Sequence, residues 1–203
     1  LIVLAPRDGK VFTPDTLAAV ADATERAWLT PFSIRVDSLT NFQHTTALGD
    51  DLEVAPLVEN PQNLTDDDLA RIKTAALAEP ALISRLISPD ARITAINITV
   101  ELPGVDEATE NPRVAAAARD LRDYVEATYP DIDVYLTGIV MMNQAFQEAA
   151  MSDTTQLIPA ALAIILLMVF LQLRGLTGTL GTLIVIVLSE LQPWGPPDGR
   201  EFA

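Results

Sequence analysis

The chain has 203 residues, no cysteine, a single histidine and a formal net charge of −15, and about half of its residues are hydrophobic. That charge repels nucleic acid and anionic headgroups. The missing thiols exclude disulfides, thiol catalysis and thiolate metal sites, and one histidine excludes multi-histidine metal sites and the usual triads. Of thirteen Lys and Arg, eleven precede Thr154, as do twenty-five of the twenty-eight Asp and Glu. The first three-quarters of the chain is therefore acidic and water-loving, and the charge stops abruptly at its end.

In chain order, "LIVLA" (1–5) is a short apolar run closed by Pro6 and the "RDG" turn, which predicts a buried strand. Thr13 is placed to cap a helix with Pro14 in its first turn and Asp15 at its positive end. Leu17, Val20, Ala21, Thr24, Ala27 and Trp28 recur at helical spacing and supply its buried face. "SIRVDSL" alternates as a second strand. Residues 40–63 hold so many turn formers that a long surface excursion without a regular element is expected. "LTDDDLARIKTAAL" restarts a helix, with Thr65 as cap and Asp66, Asp67 and Asp68 at its amino end, and "PALISRLI" reads as a second short helix from Pro80. "RITAINITVEL" alternates as a long strand with one strongly apolar face, "NPRVAAAARDLRDYVEATY" is an amphipathic helix, and "DIDVYLTG" is a fourth strand. The order β-α-β, excursion, β-α-β predicts an α+β sandwich of the split β-α-β (ferredoxin-like) kind, with helices on one face of an antiparallel sheet over residues 1–150.

From Ile139, "IVMMNQAFQEAAMSDTTQ" has helical periodicity and leads straight into twenty uncharged residues, Thr154 to Leu173. At about 1.5 Å per residue these cover about 30 Å, the hydrocarbon thickness of a bilayer. Leu157 to Leu171 is apolar on every face apart from Pro159, which is expected in a first turn. A buried soluble helix would show a polar stripe, and a signal peptide would lie at the amino end. Residues 151–174 are thus read as a transmembrane helix. Arg174 interrupts the run, and Gly175 to Ser189 is a further uncharged stretch, read as the truncated start of a second span. Residues 190–203, with three prolines and mixed charge, read as a tail foreign to that span. Arg174 at one end of the first span, against Glu148 and Asp153 at the other, puts residues 1–150 on the extracytoplasmic side.

Candidate sites are few. His44 reads as a solvated loop residue. Asp50, Asp51 and Glu53 form an acidic run without calcium-loop spacing, better explained as solvated charge, and capping alone explains Asp66–Asp68. Neither phosphate-loop glycine pattern is present, so no nucleotide or other cofactor is expected. Gly178, Gly181 and Thr182 are small residues suited to helix packing within a membrane bundle. The acceptor-like triplets Asn63-Leu64-Thr65 and Asn97-Ile98-Thr99 are read as accidental, since Thr65 is a cap and Asn97 lies in a strand. Phe42, Leu52, Val54 and Leu57 either line part of a path for an apolar cargo or pack as a satellite core under the excursion. No ionisable residue lies within the first span, so a proton relay would lie elsewhere.

Three separated blocks, "LIVLAPRDGKVFTPDTLAAV", "IRVDSLTNFQHTTALGDDLEVAPLV" and "VYLTGIVMMNQAFQEAAMSDTTQLIPAALAIILLMVFLQLRGLTGTLGTLIVIVLS", resemble an RND-superfamily exporter of the MMPL-like, hydrophobe-exporter branch. The likeness covers residues 1–189 and corresponds to the first extracytoplasmic loop, the second span and the start of the third. It implies a fragment of a multi-pass cell (inner) membrane protein. It also implies proton-driven movement of hydrophobic or lipid-like molecules, a porter-type domain, no enzymatic activity, and packing against the parent's other spans and the bilayer. An oligomer is compatible with it, whereas nucleic acid is not a partner. None of the family's functional residues falls on this chain, so no catalytic, cofactor, metal or substrate-binding residue is assigned from the resemblance. The alternative from another class is an anchored extracytoplasmic ligand-binding or sensor domain.

Overall fold

The computed structural model describes residues 1–48 and 51–173, together with 181, 184, 185 and 188. The chain forms two compact units, Leu1–Phe146 and Gln147–Ala203. In the first, the elements are β1 (Ile2–Pro6), α1 (Pro14–Ala27), β2 (Ser33–Asp37), β3 (Gln43–Leu48), β4 (Asp51–Pro56), α2 (Asp66–Ala78), β5 (Thr94–Val100), α3 (Glu107–Thr128) and β6 (Ile132–Leu136). The helix α4 (Ile139–Leu173) begins in the first unit and makes up most of what is described of the second.

The main sheet has the order β2-β5-β1-β6 with every neighbouring pair antiparallel. It follows that β1 and β2 run parallel with β5 inserted between them, and that β5 and β6 run parallel with β1 between them. These are two interlocked split β-α-β units, as the element order predicted. Alternation does the sorting: Ile2 and Leu4 of β1 and Ile132 and Val134 of β6 are buried, while their neighbours are half-exposed. They form one core with Val36, Ile96, Leu121 and Val125, and with Ala19, Ala23 and Ala27 of α1. Those alanines, four residues apart, let the α1 backbone lie close to the sheet. A polar clamp fixes α1 against α3. Asp22 accepts hydrogen bonds from the Tyr124 hydroxyl at 2.9 Å and the Tyr129 hydroxyl at 3.3 Å, and from Arg26 Nε at 3.1 Å. The Arg26 guanidinium stacks 3.5 Å from the Tyr124 ring centre. Burial, and then the Asp22 carboxylate, raise the Tyr129 phenol above its ordinary value, so it stays a donor.

Both predicted caps form. Thr13 Oγ1 accepts from the Thr16 backbone, and Thr65 and Asp68 make a reciprocal capping box at the start of α2. Several expectations are corrected. Residues 43–56 are not an irregular excursion but a β-hairpin, paired from Gln43↔Pro56 to Leu48↔Asp51. Here a β-forming run, "QHTTAL" and "LEV", outweighs the turn formers around it, which cluster at the ends. "PALISRLI" is not a helix but a sequence of turns with isolated bridges between Ile83 and Ile87 and between Ile87 and Thr94. Eight residues provide too few hydrogen bonds to offset helix nucleation, and Ser84 adopts a left-handed conformation at φ 60°. Trp28 is the C-cap that follows α1 and is exposed, whereas Thr16, Ala19 and Ala23 join the buried face. In β5, Thr94, Ala95 and Ile96 are all buried rather than alternating, and the 82–91 segment is hydrogen-bonded to this end of the strand. The Leu86 carbonyl accepts from Thr94 Oγ1 at 2.9 Å and from Ala95 N at 2.8 Å. That segment, with α2, Val11, Leu17, Leu39, Leu57 and Val58, builds a second core.

In the second unit, α4 presents apolar residues on all sides. None of its most hydrophobic window is buried, and its length and composition suffice to cross a membrane. Among the described residues nothing packs over this stretch, as the membrane-spanning reading expects. Pro159 lies well inside α4 rather than in a first turn, where it removes one backbone donor, the amide that would have reached the Thr155 carbonyl. Arg174, Gly178, Thr182, Asp50 and the tail lie outside the described residues, as does most of the second uncharged run; Gly181 is helical.

Candidate functional site

Ile2 of β1 pairs with Ile96, and residues 97–100 of β5 pair with β2. On the other side, Leu1 and Thr137 exchange backbone hydrogen bonds at 3.0 Å, and Gly138 turns the chain from β6 into α4. Its φ of +111° suits glycine and is strained for any side chain. A cavity adjoins Leu1 and Ile2, walled by residues 97–100 of β5, by Val114 and Ala118 of α3, and by Ile139, Val140 and Met141 in the first turn of α4. Its volume is about 330 Å³. The wall is aliphatic apart from Thr30, Asn97, Thr99 and Thr137, and no ionisable side chain lines it.

The loop leading from β5 to α3 at this end is held by a buried carboxylate. Glu110 Oε1 accepts from the backbone of Val105 at 3.0 Å and Asp106 at 3.1 Å, and Oε2 from that of Gly104 at 3.0 Å. Bonds from Asp106, Gly104 and Val105, with the charge of Arg113, outweigh burial and hold this carboxyl below its ordinary 4.5. A carboxyl lowered on folding adds stability above its unfolded value and loses it as pH falls. Glu110→Gln is therefore expected to unfold at lower denaturant than the parent at pH 7, and the gap should narrow as the pH falls below the carboxyl's ordinary 4.5 and through its lowered folded value. Denaturation at pH 7 and pH 3 measures it, and a gap of equal size at both would refute the role.

The other sequence candidates are scattered. His44 is half-buried in β3, not in a loop, beside a separate 460 Å³ cavity with Glu59, Asp68 and Arg71. Phe42 and Leu57 belong to the second core, as the satellite-packing reading has it, while Leu52 and Val54 stand exposed on β4. Asp51 and Glu53 also fall in β4. Thr65 is engaged as a cap and Asn97 is in β5, as expected. Among the described residues no group of three or more His, Asp or Glu is gathered as for a metal ion. The residues of the cavity beside Leu1 escaped sequence reasoning. The only local signal was Gly138 between a strand and a helix.

A two-layer sheet-and-helix domain whose last strand leads into an unburied apolar helix defines the water-exposed part of a membrane protein. The chain belongs to the MMPL family, whose family model matches residues 15–195, and is a membrane-transporter sequence of the RND/MMPL type. The family comprises transporters rather than enzymes. No curated protein and no solved structure matches the chain.

Proposed function

We propose that residues 1–150 form a porter-type extracytoplasmic domain of a proton-driven exporter in the cell (inner) membrane, and that this domain forms part of the route taken by a hydrophobic or lipid-like cargo. The family match together with the uncharged, unburied span carries the proposal. The charge distribution supports the orientation, with about −14 before Thr154 and a base, Arg174, directly after the span. The span itself has no ionisable residue from Thr154 to Leu173, so the proton relay belongs to other spans. What this piece contributes is mechanical: α4 is one continuous helix from Ile139 to Leu173, the kind of connection that transmits movement where a glycine linker would absorb it.

The test is made in the complete transporter. A flexible glycine insertion after Ser152 is expected to bring export to background while membrane abundance and folding of the outer domain are retained. Undiminished export with that insertion would overturn the coupling.

A further inference from the structure

We propose that a second cavity, between residues 9–12 and α2, binds a phosphate monoester of a small apolar alcohol. It follows the Pro6 end of β1, away from Leu1, and its volume of about 370 Å³ lies at the lower end of the small-molecule range. The chain holds only two lysines, Lys10 and Lys73, and both line this cavity. Neither ammonium has a hydrogen bond or an ion pair among the described residues. Lys73 shares one face of α2 with Asp66, Leu69 and Ala70, at i, i+3, i+4 and i+7 spacing. Across from it the backbone of Lys10 is pinned: its amide donates to Asp8 Oδ1 at 2.9 Å, and its carbonyl accepts from Thr16 Oγ1 at 3.3 Å. A third cation is close by. Gly9 has no side chain, and the Arg92 guanidinium lies against it, with Nε 3.0 Å from where a Cβ would stand. The acids on the wall are Asp66 and Asp90, and Asp90 already accepts from Ser88 Oγ at 2.6 Å and from the Arg92 amide at 3.3 Å. Three cations thus meet two acids here, whereas before Thr154 acids outnumber bases by twenty-five to eleven. In about 0.1 M salt the Debye length is about 10 Å, so the domain's distant acids are screened while charges touching a ligand are not. Ammonium groups act on a phosphate as point charges and need no planar fork. Phe12 and Leu69, beside the buried Val11 and Ala91, supply an apolar floor for a ring or a short chain. The inference is independent of the transporter reading.

The experiment uses the full chain in nanodiscs of zwitterionic lipid at pH 7, its lysines dimethylated with isotopically labelled formaldehyde, which keeps their charge. Two side-chain signals result in the magnetic resonance spectrum, assigned with Lys10→Arg and Lys73→Arg. Phenyl phosphate is expected to shift both signals along one isotherm, about tenfold more tightly than inorganic phosphate, because partial burial of its ring adds to the charge contacts. Benzyl alcohol, without the charge, is expected to shift neither. Lys10→Gln and Lys73→Gln, both at exposed positions, are each expected to weaken phenyl phosphate about tenfold, as the loss of one hydrogen bond to a charged group does, while the arginine variants retain it. A phosphate monoester reaches the cavity either as a soluble compound or as a lipid headgroup. Shifts at both lysines in nanodiscs doped with phosphatidic acid, with no soluble ester added, assign the headgroup; a response to the soluble ester alone assigns the free compound. Silence of both signals, separate isotherms for the two lysines, or equal affinity for inorganic and phenyl phosphate would overturn the proposal. Each of these would leave the glycine-insertion result in the complete transporter standing.

Discussion

Ile164→Arg is expected to lower the equilibrium constant for membrane insertion of the span by about a hundredfold, and with it the inserted fraction, because a central arginine costs a spanning helix about 2.5–3.5 kcal/mol on insertion scales. The position is near the middle of the twenty uncharged residues and is exposed on α4, so the substitution disturbs no packing within the chain. What it changes is the transfer of one residue into hydrocarbon. The measurement is the fraction of protein that resists alkaline extraction from membranes, with Ile164→Leu as the control that keeps both bulk and hydropathy. An arginine variant that stays as resistant as the control would show that α4 does not reside in lipid, and the orientation built on it would fall.

Ile96→Ala is expected to cost the first unit about 2–5 kcal/mol, the range for truncating a fully buried large aliphatic side chain. Ile96 is completely buried in β5, opposite Ile2 in the register, and contributes to the core shared by the sheet, α1 and α3. Urea unfolding followed by the near-ultraviolet signal of Tyr124 and Tyr129, which report the Asp22 clamp, gives the midpoint for this unit, and an unchanged slope shows that the same surface is exposed. Leu52→Ala on the hairpin is the comparison, since Leu52 is 73% exposed and such surface changes stay within about 0.5 kcal/mol. Equal midpoints for the two variants would contradict the placement of the core.

These expectations could be framed from sequence to different degrees, and the reasons are local. The span was legible because twenty positions without charge need no tertiary information. Thr13 and Thr65 were legible because a cap is decided within four residues. The four main strands and the order β-α-β twice over were enough to imply the split β-α-β sheet, since few right-handed connections satisfy that order. The hairpin was missed because prolines and asparagines on either side of it masked two short alternating runs. The segment from Pro80 was misread because its apolar residues Leu82, Leu86 and Ile87 have helical spacing, yet they are buried as turn residues against α2 and β5.

The two cores have a consequence for how this sequence can change. Every side chain of the sheet's own core comes from residues 2–36 or 96–134, and none from the stretch between. Residues 38–93, with the hairpin, α2 and the turns after it, are built on a separate nucleus that borrows Val11 and Leu17 from the frame. That stretch meets the frame through Val11 and Leu17, so a change at Leu39, Ile72 or Leu82 acts on the second nucleus and leaves the sheet's own core residues in place.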